Sequence, residues 1–70
     1  DIVVANLTAN VITGLAQQIA LSLRSLGVLI ASGIITDRQP ETEEAIAQVL
    51  TIKTRRYDGD WVLLVAQKES

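Results

Sequence analysis

Two apolar runs on either side of a helical stretch constrain this chain more than any other feature of its sequence. The first run, Ile2 to Ala5, has a β-branched centre and is typical of a strand covered on both faces. The second run extends from Val28 to Ile35. Between them, from about residue 9 to residue 26, apolar residues recur at helical spacing. This order predicts a βαβ unit with parallel strands and a right-handed crossover.

The helix between the two runs has a recognisable apolar face and recognisable ends. The predicted stripe consists of Val11, Leu15, Ile19 and Leu26, flanked by Ile12, Ala16 and Leu23. We expect Thr8 or Asn10 to cap the start of the helix. Gly27 is expected to adopt the left-handed conformation just past its end.

A second helix and a hairpin follow the second strand. Thr36 or Asp37 is expected to cap this helix, with Pro40 in its first turn. Its predicted buried face consists of Ala45, Ile46, Val49 and Leu50. The dipeptide Asp58-Gly59 then predicts a tight turn between two strands, 51–57 and 61–67.

The two hairpin strands are expected to occupy different places in the sheet. The run WVLLVA is apolar on both faces, so we expect it to be an interior strand. The other strand carries Lys53, Arg55 and Arg56, which suits a sheet edge protected by charge. The predicted fold is therefore α/β in the order β-α-β-α-β-β, a parallel pair that ends in an antiparallel hairpin.

Composition excludes several classes of function. The 70 residues contain no Cys, His or Met, which rules out disulfides, zinc fingers and thiol or imidazole catalysis within them. A net charge of −2 gives no electrostatic footprint for nucleic acid or anionic lipid. Polar residues interrupt the apolar stretch 2–26 too often for a membrane span. We expect a cytoplasmic protein that binds no metal and no membrane, with a charge that disfavours nucleic acid.

Three segments resemble one enzyme family. DIVVANLTANVI at residues 1–12 is similar to the DLVVANILA segment of the PrmA-type methyltransferases, which modify ribosomal protein L11. ASGII at residues 31–35 resembles that family's LSGIL strand exit, and YDGDWVLLVAQK at residues 57–68 resembles its closing hairpin. The match departs from the family at Leu26-Gly27-Val28, where a Pro-Gly-Gly turn is usual.

The resemblance implies both a fold and a cofactor. Residues 1–70 look like the C-terminal half of the catalytic domain of a class I methyltransferase, whose sheet is Rossmann-like and whose cofactor is S-adenosylmethionine. No Gly-x-Gly loop occurs in this sequence, since Gly14 and Gly27 belong to a predicted helix and Gly59 to a turn. We therefore expect a fragment that is inactive by itself.

Asn6 is the candidate catalytic and cofactor-binding residue. Ligands of open α/β sheets bind beyond the carboxyl ends of the strands, where Asn6 is predicted to lie. In the similar enzymes the matching Asn contacts the cofactor and the incoming nucleophile. The competing interpretation is that Asn6 only caps the following helix.

The residues after Asn6 indicate the kind of acceptor. Leu7-Thr8-Ala9 contains neither the Pro nor the aromatic residue that often follows this position in enzymes acting on planar bases or amides. A lysine or an N-terminal amino group of a ribosomal protein fits better. An RNA or small-molecule methyltransferase of the same fold is the alternative within this enzyme class.

A third interpretation is a non-catalytic module that dimerises through an exposed sheet edge. The first strand has no partner on one side, so we expect the isolated chain to self-associate through Ile2 to Ala5. Trp61 is expected to pack beside the hairpin turn rather than stack on a ligand. Glu41, Glu43 and Glu44 are expected to complement the helix dipole rather than bind a metal.

Overall fold

The computed structural model describes residues 2–6 and 9–69, which form a four-stranded mixed sheet covered by two helices. Its strands are β1 (Ile2–Asn6), β2 (Val28–Ile35), β3 (Thr51–Asp58) and β4 (Trp61–Gln67). Its helices are α1 (Ala9–Ser22) and α2 (Gln39–Ala47), with a 3₁₀ turn, Thr36–Arg38, between β2 and α2.

The sheet has the predicted topology. Its spatial order is β1-β2-β4-β3, in which β1 pairs with β2 in parallel and β4 pairs antiparallel with both β2 and β3. The predictions of a parallel first pair, of an interior WVLLVA strand and of a charged edge strand at β3 are all confirmed. Charge protects β3 because an edge strand would otherwise offer unpaired backbone groups to other chains.

Both helices pack on the same face of the sheet. One continuous core joins side chains from both helices to alternating residues of β2 and β4: Ile12, Ala20, Leu23, Ile46, Leu50, Leu29, Ala31, Ile34, Val62, Leu64 and Ala66. Successive strand residues point to opposite faces, so the residues between these core positions face away from the helices.

The face of β1 opposite the helices is open. Val3 packs against the core, whereas the side chains of Ile2 and Val4 are 66% and 70% exposed. The expectation that β1 is covered on both faces is therefore wrong for the described residues. The physical reason is that α1 and α2 cover only one side of the sheet.

The apolar face of α1 is displaced from the predicted stripe by one residue. Its buried positions are Ile12, Ala16 and Ala20, and Leu23, just past its end, is buried as well. They are spaced by three or four residues, whereas Val11 and Leu15 are 40% and 37% exposed. One residue corresponds to about 100° around a helix, which is enough to move a side chain from the core to its margin.

The ends of α1 also differ from prediction. The helix stops at Ser22, and Leu26 rather than Gly27 adopts the left-handed conformation, with φ 63°. Asn10 lies inside the helix instead of capping it, and Thr8 lies outside the described residues. No helix of the described ranges is both long and apolar enough to cross a membrane.

The second helix begins later than predicted because the 3₁₀ turn comes first. Arg38 occupies the N-cap position of α2, so neither Thr36 nor Asp37 caps it, while Pro40 lies in the first turn as predicted. Of the predicted buried face, Ile46 and Leu50 are buried, and Ala45 and Val49 are half-buried. The structure adds Thr42, a fully buried residue whose hydroxyl donates to the Arg38 carbonyl at 2.8 Å.

Lys68 holds the carboxyl end of α1 against the sheet. Its Nζ donates to the carbonyl oxygens of Ala20 and Leu23, at 2.9 and 3.0 Å. The Ala20 carbonyl also accepts the Leu23 amide at 3.2 Å. A cation at the carboxyl end of a helix complements the helix dipole. Lys68 therefore fixes the last turn of α1, at the end of the helix remote from Asn6.

Candidate functional site at the carboxyl ends of β1 and β2

Asn6 is the last residue of β1, as the sequence predicts. In the parallel pairing of β1 with β2 its Cα lies opposite that of Ser32. Two adjacent parallel strands thus end side by side, which is where open α/β sheets bind ligands. The side chain of Asn6 and residues 7–8, on which the acceptor prediction rests, lie outside the described part of the chain.

A β-bulge shapes β2 next to Asn6. Ala31 pairs with Leu64 but Ile34 pairs with Val62, so β2 has one residue more than β4 across this interval. Gly33 accommodates the bulge with a φ of 79°, a conformation that glycine adopts without a steric penalty. Residues three apart in a regular strand point to opposite faces. The extra residue reverses this alternation, so Ala31 and Ile34 are both fully buried on the helix-covered face.

A cavity of about 290 Å³ lies at this bulge. Its wall contains Ser32 and Gly33 from β2, Arg56, Tyr57 and Asp58 from β3, and Trp61, Val62 and Leu63 from β4. The two aromatic side chains, Tyr57 and Trp61, are 61% and 53% exposed. Ser32 both lines the cavity and lies opposite Asn6, so this one residue of β2 connects the cavity wall with the end of β1.

The hairpin turn is held against the end of β2. The Thr36 amide donates to the Asp60 carbonyl at 2.8 Å. Asp58 pairs with Trp61, so the loop consists of Gly59 and Asp60, and Gly59 has a φ of 60°. Positive φ at the first loop residue is the pattern of a type II′ turn, so the tight turn predicted from Asp58-Gly59 is confirmed.

A hydrogen-bonded chain from α2 holds the Tyr57 side chain on the helix-covered face of the sheet, the face to which Val62 opposite it also points. Gln39 Nε2 donates to the Tyr57 hydroxyl at 2.8 Å and to Glu43 Oε2 at 2.6 Å. Arg55 grips the same carboxylate with Nε and Nη2, at 2.8 and 2.7 Å. The hydrogen bonds from Arg55 lower the pKa of Glu43 and outweigh the opposing effect of its partial burial. Tyr57 is therefore held from α2 as well as by its strand.

Lys53, Arg55 and Arg56 are a possible RNA-contact surface by their charge, but two of the three are paired within the fold. Lys53 pairs with Glu69 at 3.0 Å, and Arg55 with Glu43. Of the three cations considered, Arg56 is the one that lines the cavity. This arrangement favours the edge-strand interpretation over a nucleic-acid surface.

The acidic residues at the start of α2 form ion pairs within the fold. Glu41 pairs with Arg38, and Glu43 pairs with Arg55. Within residues 2–6 and 9–69, no three His, Cys, Asp or Glu side chains come together in a group that could hold a metal ion.

The sequence interpretation missed the cavity and the part that Trp61 plays in it. The sequence predicts that Trp61 packs beside the hairpin turn, yet more than half of its surface is exposed at the cavity wall. The available signal was Ser32-Gly33, because an isolated glycine within a strand pattern indicates a bulge. A bulge beside a hairpin leaves space between strands, where the exposed aromatic residues then lie.

The fold, with its candidate site at the carboxyl ends of β1 and β2, defines the class of protein. The ribosomal protein L11 methylase from Lactobacillus delbrueckii subsp. bulgaricus superposes on the chain with a TM-score of 0.91 at 28% sequence identity. The superposition covers 99% of this chain and 36% of that one. The four strands and two helices are therefore part of a class I methyltransferase fold.

Sequence comparison identifies the family. Residues 1–69 match the sequence profile of the ribosomal protein L11 methyltransferase (PrmA) family, and the chain belongs to that family. It is 39% identical over 69 residues to a ribosomal protein L11 methyltransferase of Listeria monocytogenes serotype 4b, and 40% identical over 70 residues to that of Carboxydothermus hydrogenoformans. The chain spans 22% and 23% of the length of these relatives.

The lowered pKa of Glu43 predicts how stability changes with pH. A depressed folded-state pKa contributes stability above the unfolded value, about 4.3 for Glu, and that contribution is lost as pH falls through the folded value. We expect Glu43→Gln to lower the melting temperature at pH 7, and the difference to shrink between about pH 5 and pH 3. The measurement uses a chimera, the Listeria monocytogenes enzyme with its matching segment replaced by this chain. The exposed Glu44→Gln is the matched control, and a Glu43→Gln difference that is the same at both ends of this range would contradict the assignment.

Proposed function

We propose that residues 1–70 form the C-terminal half of the catalytic domain of an S-adenosylmethionine-dependent protein N-methyltransferase. Its proposed acceptors are lysine or N-terminal amino groups of a ribosomal protein, which the enzyme would meet in the cytoplasm. The observation that carries the proposal is the position of Asn6. It ends a parallel strand beside a cavity with exposed aromatic walls, in a chain that belongs to the L11 methyltransferase family.

The chain fits one part of a cofactor site. Asn6, at the carboxyl end of β1, is the residue that would contact S-adenosylmethionine, since ligands of such sheets bind at that end. When bound, the cofactor supplies an electrophilic methyl group. Because the sequence contains no Gly-rich loop to hold the rest of the cofactor, we expect these residues alone to be inactive.

The amide of Asn6 suits the task of aligning an amine. Its side-chain oxygen accepts a hydrogen bond from an N–H of the amine that receives the methyl group, and this restricts the direction of the nitrogen lone pair. Such alignment lowers the barrier because the reacting atoms no longer have to find the productive orientation by diffusion. An amide carries no charge, so it does not stabilise the unreactive ammonium form as a carboxylate would.

The cavity suits the stem of an aliphatic amine. The face of Trp61, which is more than half exposed, provides apolar surface for the methylenes of a lysine. The indole ring of Trp61 also attracts a cation before it loses its proton. A lysine has a reference pKa of about 10.4, so its proton must leave before transfer, and we assign that step to water.

The first test concerns Asn6. In the chimera, Asn6→Ala should reduce the single-turnover rate of methyl transfer by about ten- to a thousandfold, because it removes an aligning contact. The free energy of unfolding should fall by no more than about 1 kcal/mol, the size of a lost helix cap. Gln18→Ala, an exposed position in the middle of α1, provides the comparison for any effect on the helix. An unchanged single-turnover rate in Asn6→Ala would remove Asn6 from the site.

The second test concerns the open side of β1. We propose that the isolated 70-residue chain self-associates, because Ile2 and Val4 expose apolar surface on a strand with no described partner on its outer side. Sedimentation should show assembly that grows with concentration and is reduced by Val4→Lys. Leu21→Lys, an equally exposed position on α1, is the control and should not reduce assembly. A cooperative monomer with slowly exchanging Val3 and Val4 amides would contradict the proposal.

A further inference from the structure

The first turn of α1 is fastened to the segment that follows β2. Arg38, the last residue of the 3₁₀ turn, donates from Nη2 to Oδ1 of Asn10 in the first turn of α1. Its Nε donates to Glu41 in α2. One guanidinium therefore joins three elements that meet at the carboxyl end of the sheet: α1, the 3₁₀ turn and α2.

Arg38 projects from a fixed stretch of backbone. Its own carbonyl accepts the hydroxyl of the fully buried Thr42 at 2.8 Å. The start of the same 3₁₀ turn is fixed as well, because the Thr36 amide donates to the Asp60 carbonyl in the hairpin turn. A side chain whose backbone is held at both ends of a short turn can set the position of its partner, instead of following it.

The contact lies four residues from Asn6. On one side of this short segment, Asn6 is fixed to β2 by its pairing opposite Ser32. On the other side, Asn10 is fixed by Arg38. From these two anchors we propose that Arg38 is a positioning residue, which sets the orientation of Asn6 through the first turn of α1. The inference rests on the proposed role of Asn6 in methyl transfer.

The geometry requires arginine and not simply a positive charge. Nε and Nη2 donate to two different acceptors at once. The rigid fork of a guanidinium suits this geometry better than the single ammonium of a lysine does. Glu41 compensates the charge of Arg38, and the hydrogen bond from Arg38 lowers the pKa of Glu41. The paired charges orient the guanidinium without adding a free cation near a site proposed to accept an amine.

The test compares the two ends of α1 in the chimera. Arg38→Met should lower kcat by about five- to twentyfold and leave the KM values for cofactor and acceptor within about twofold, because a misplaced Asn6 affects alignment more than binding. Arg38→Lys should give an intermediate kcat. The matched control is Lys68→Met, which releases the last turn of the same helix and should lower the melting temperature with kcat unchanged.

A double-mutant cycle identifies the route. Asn10→Ala should reproduce the kcat loss of Arg38→Met, and the double variant should be no worse than either single one, since both remove the same contact. Additive losses, or a normal kcat in Arg38→Met, would overturn the inference. Asn6→Ala separates the two claims. If it lowers kcat while Arg38→Met does not, only the positioning role fails; if it does not lower kcat, the proposed function fails.

Discussion

The pairing of β2 on both of its sides is the constraint on which the rest of the structure depends. One side of β2 holds β1 in parallel and brings Asn6 opposite Ser32, and the other side holds β4. The Ser32–Gly33 bulge lets β2 pair with β1 on one side and with β4 on the other. It returns Ile34 to the helix-covered face after Ala31 and opens a cavity between β2 and the hairpin. Packing and the candidate site therefore have the same origin, one extra residue in β2.

The one-sided core explains why side-chain hydrogen bonds join the elements at the carboxyl end of the sheet. Two short helices cover one face, and Ile2 and Val4 remain exposed on the other, so hydrophobic burial alone gives β1 limited support. Polar contacts then fix what packing does not. Arg38 joins α1 to the end of β2, and Gln39 joins α2 to Tyr57 at the cavity wall. Two consecutive residues, Arg38 and Gln39, thus connect α1 with the end of β2 and α2 with the end of β3.

Local patterns predicted the elements well and their details less well. The hairpin at Asp58-Gly59, the interior WVLLVA strand and the end of β1 at Asn6 follow from turn chemistry and strand periodicity, which act over a few residues. The stripe of α1 was predicted one residue away because Val11 and Ile12 are equally apolar, and only packing against the sheet selects Ile12. The cavity and the Arg38–Asn10 contact depend on residues far apart in sequence, and no local signal specifies them.

The central claim is that an acceptor amine meets Asn6 with its stem in the cavity beside Trp61. A crystal structure of the chimera with demethylated cofactor and a lysine-containing acceptor peptide tests it most directly. The account predicts the amine nitrogen about 3 Å from the side-chain oxygen of Asn6, with the lysine methylenes against the face of Trp61. An acceptor amine bound away from the carboxyl ends of β1 and β2, with the Trp61 cavity empty, would contradict it.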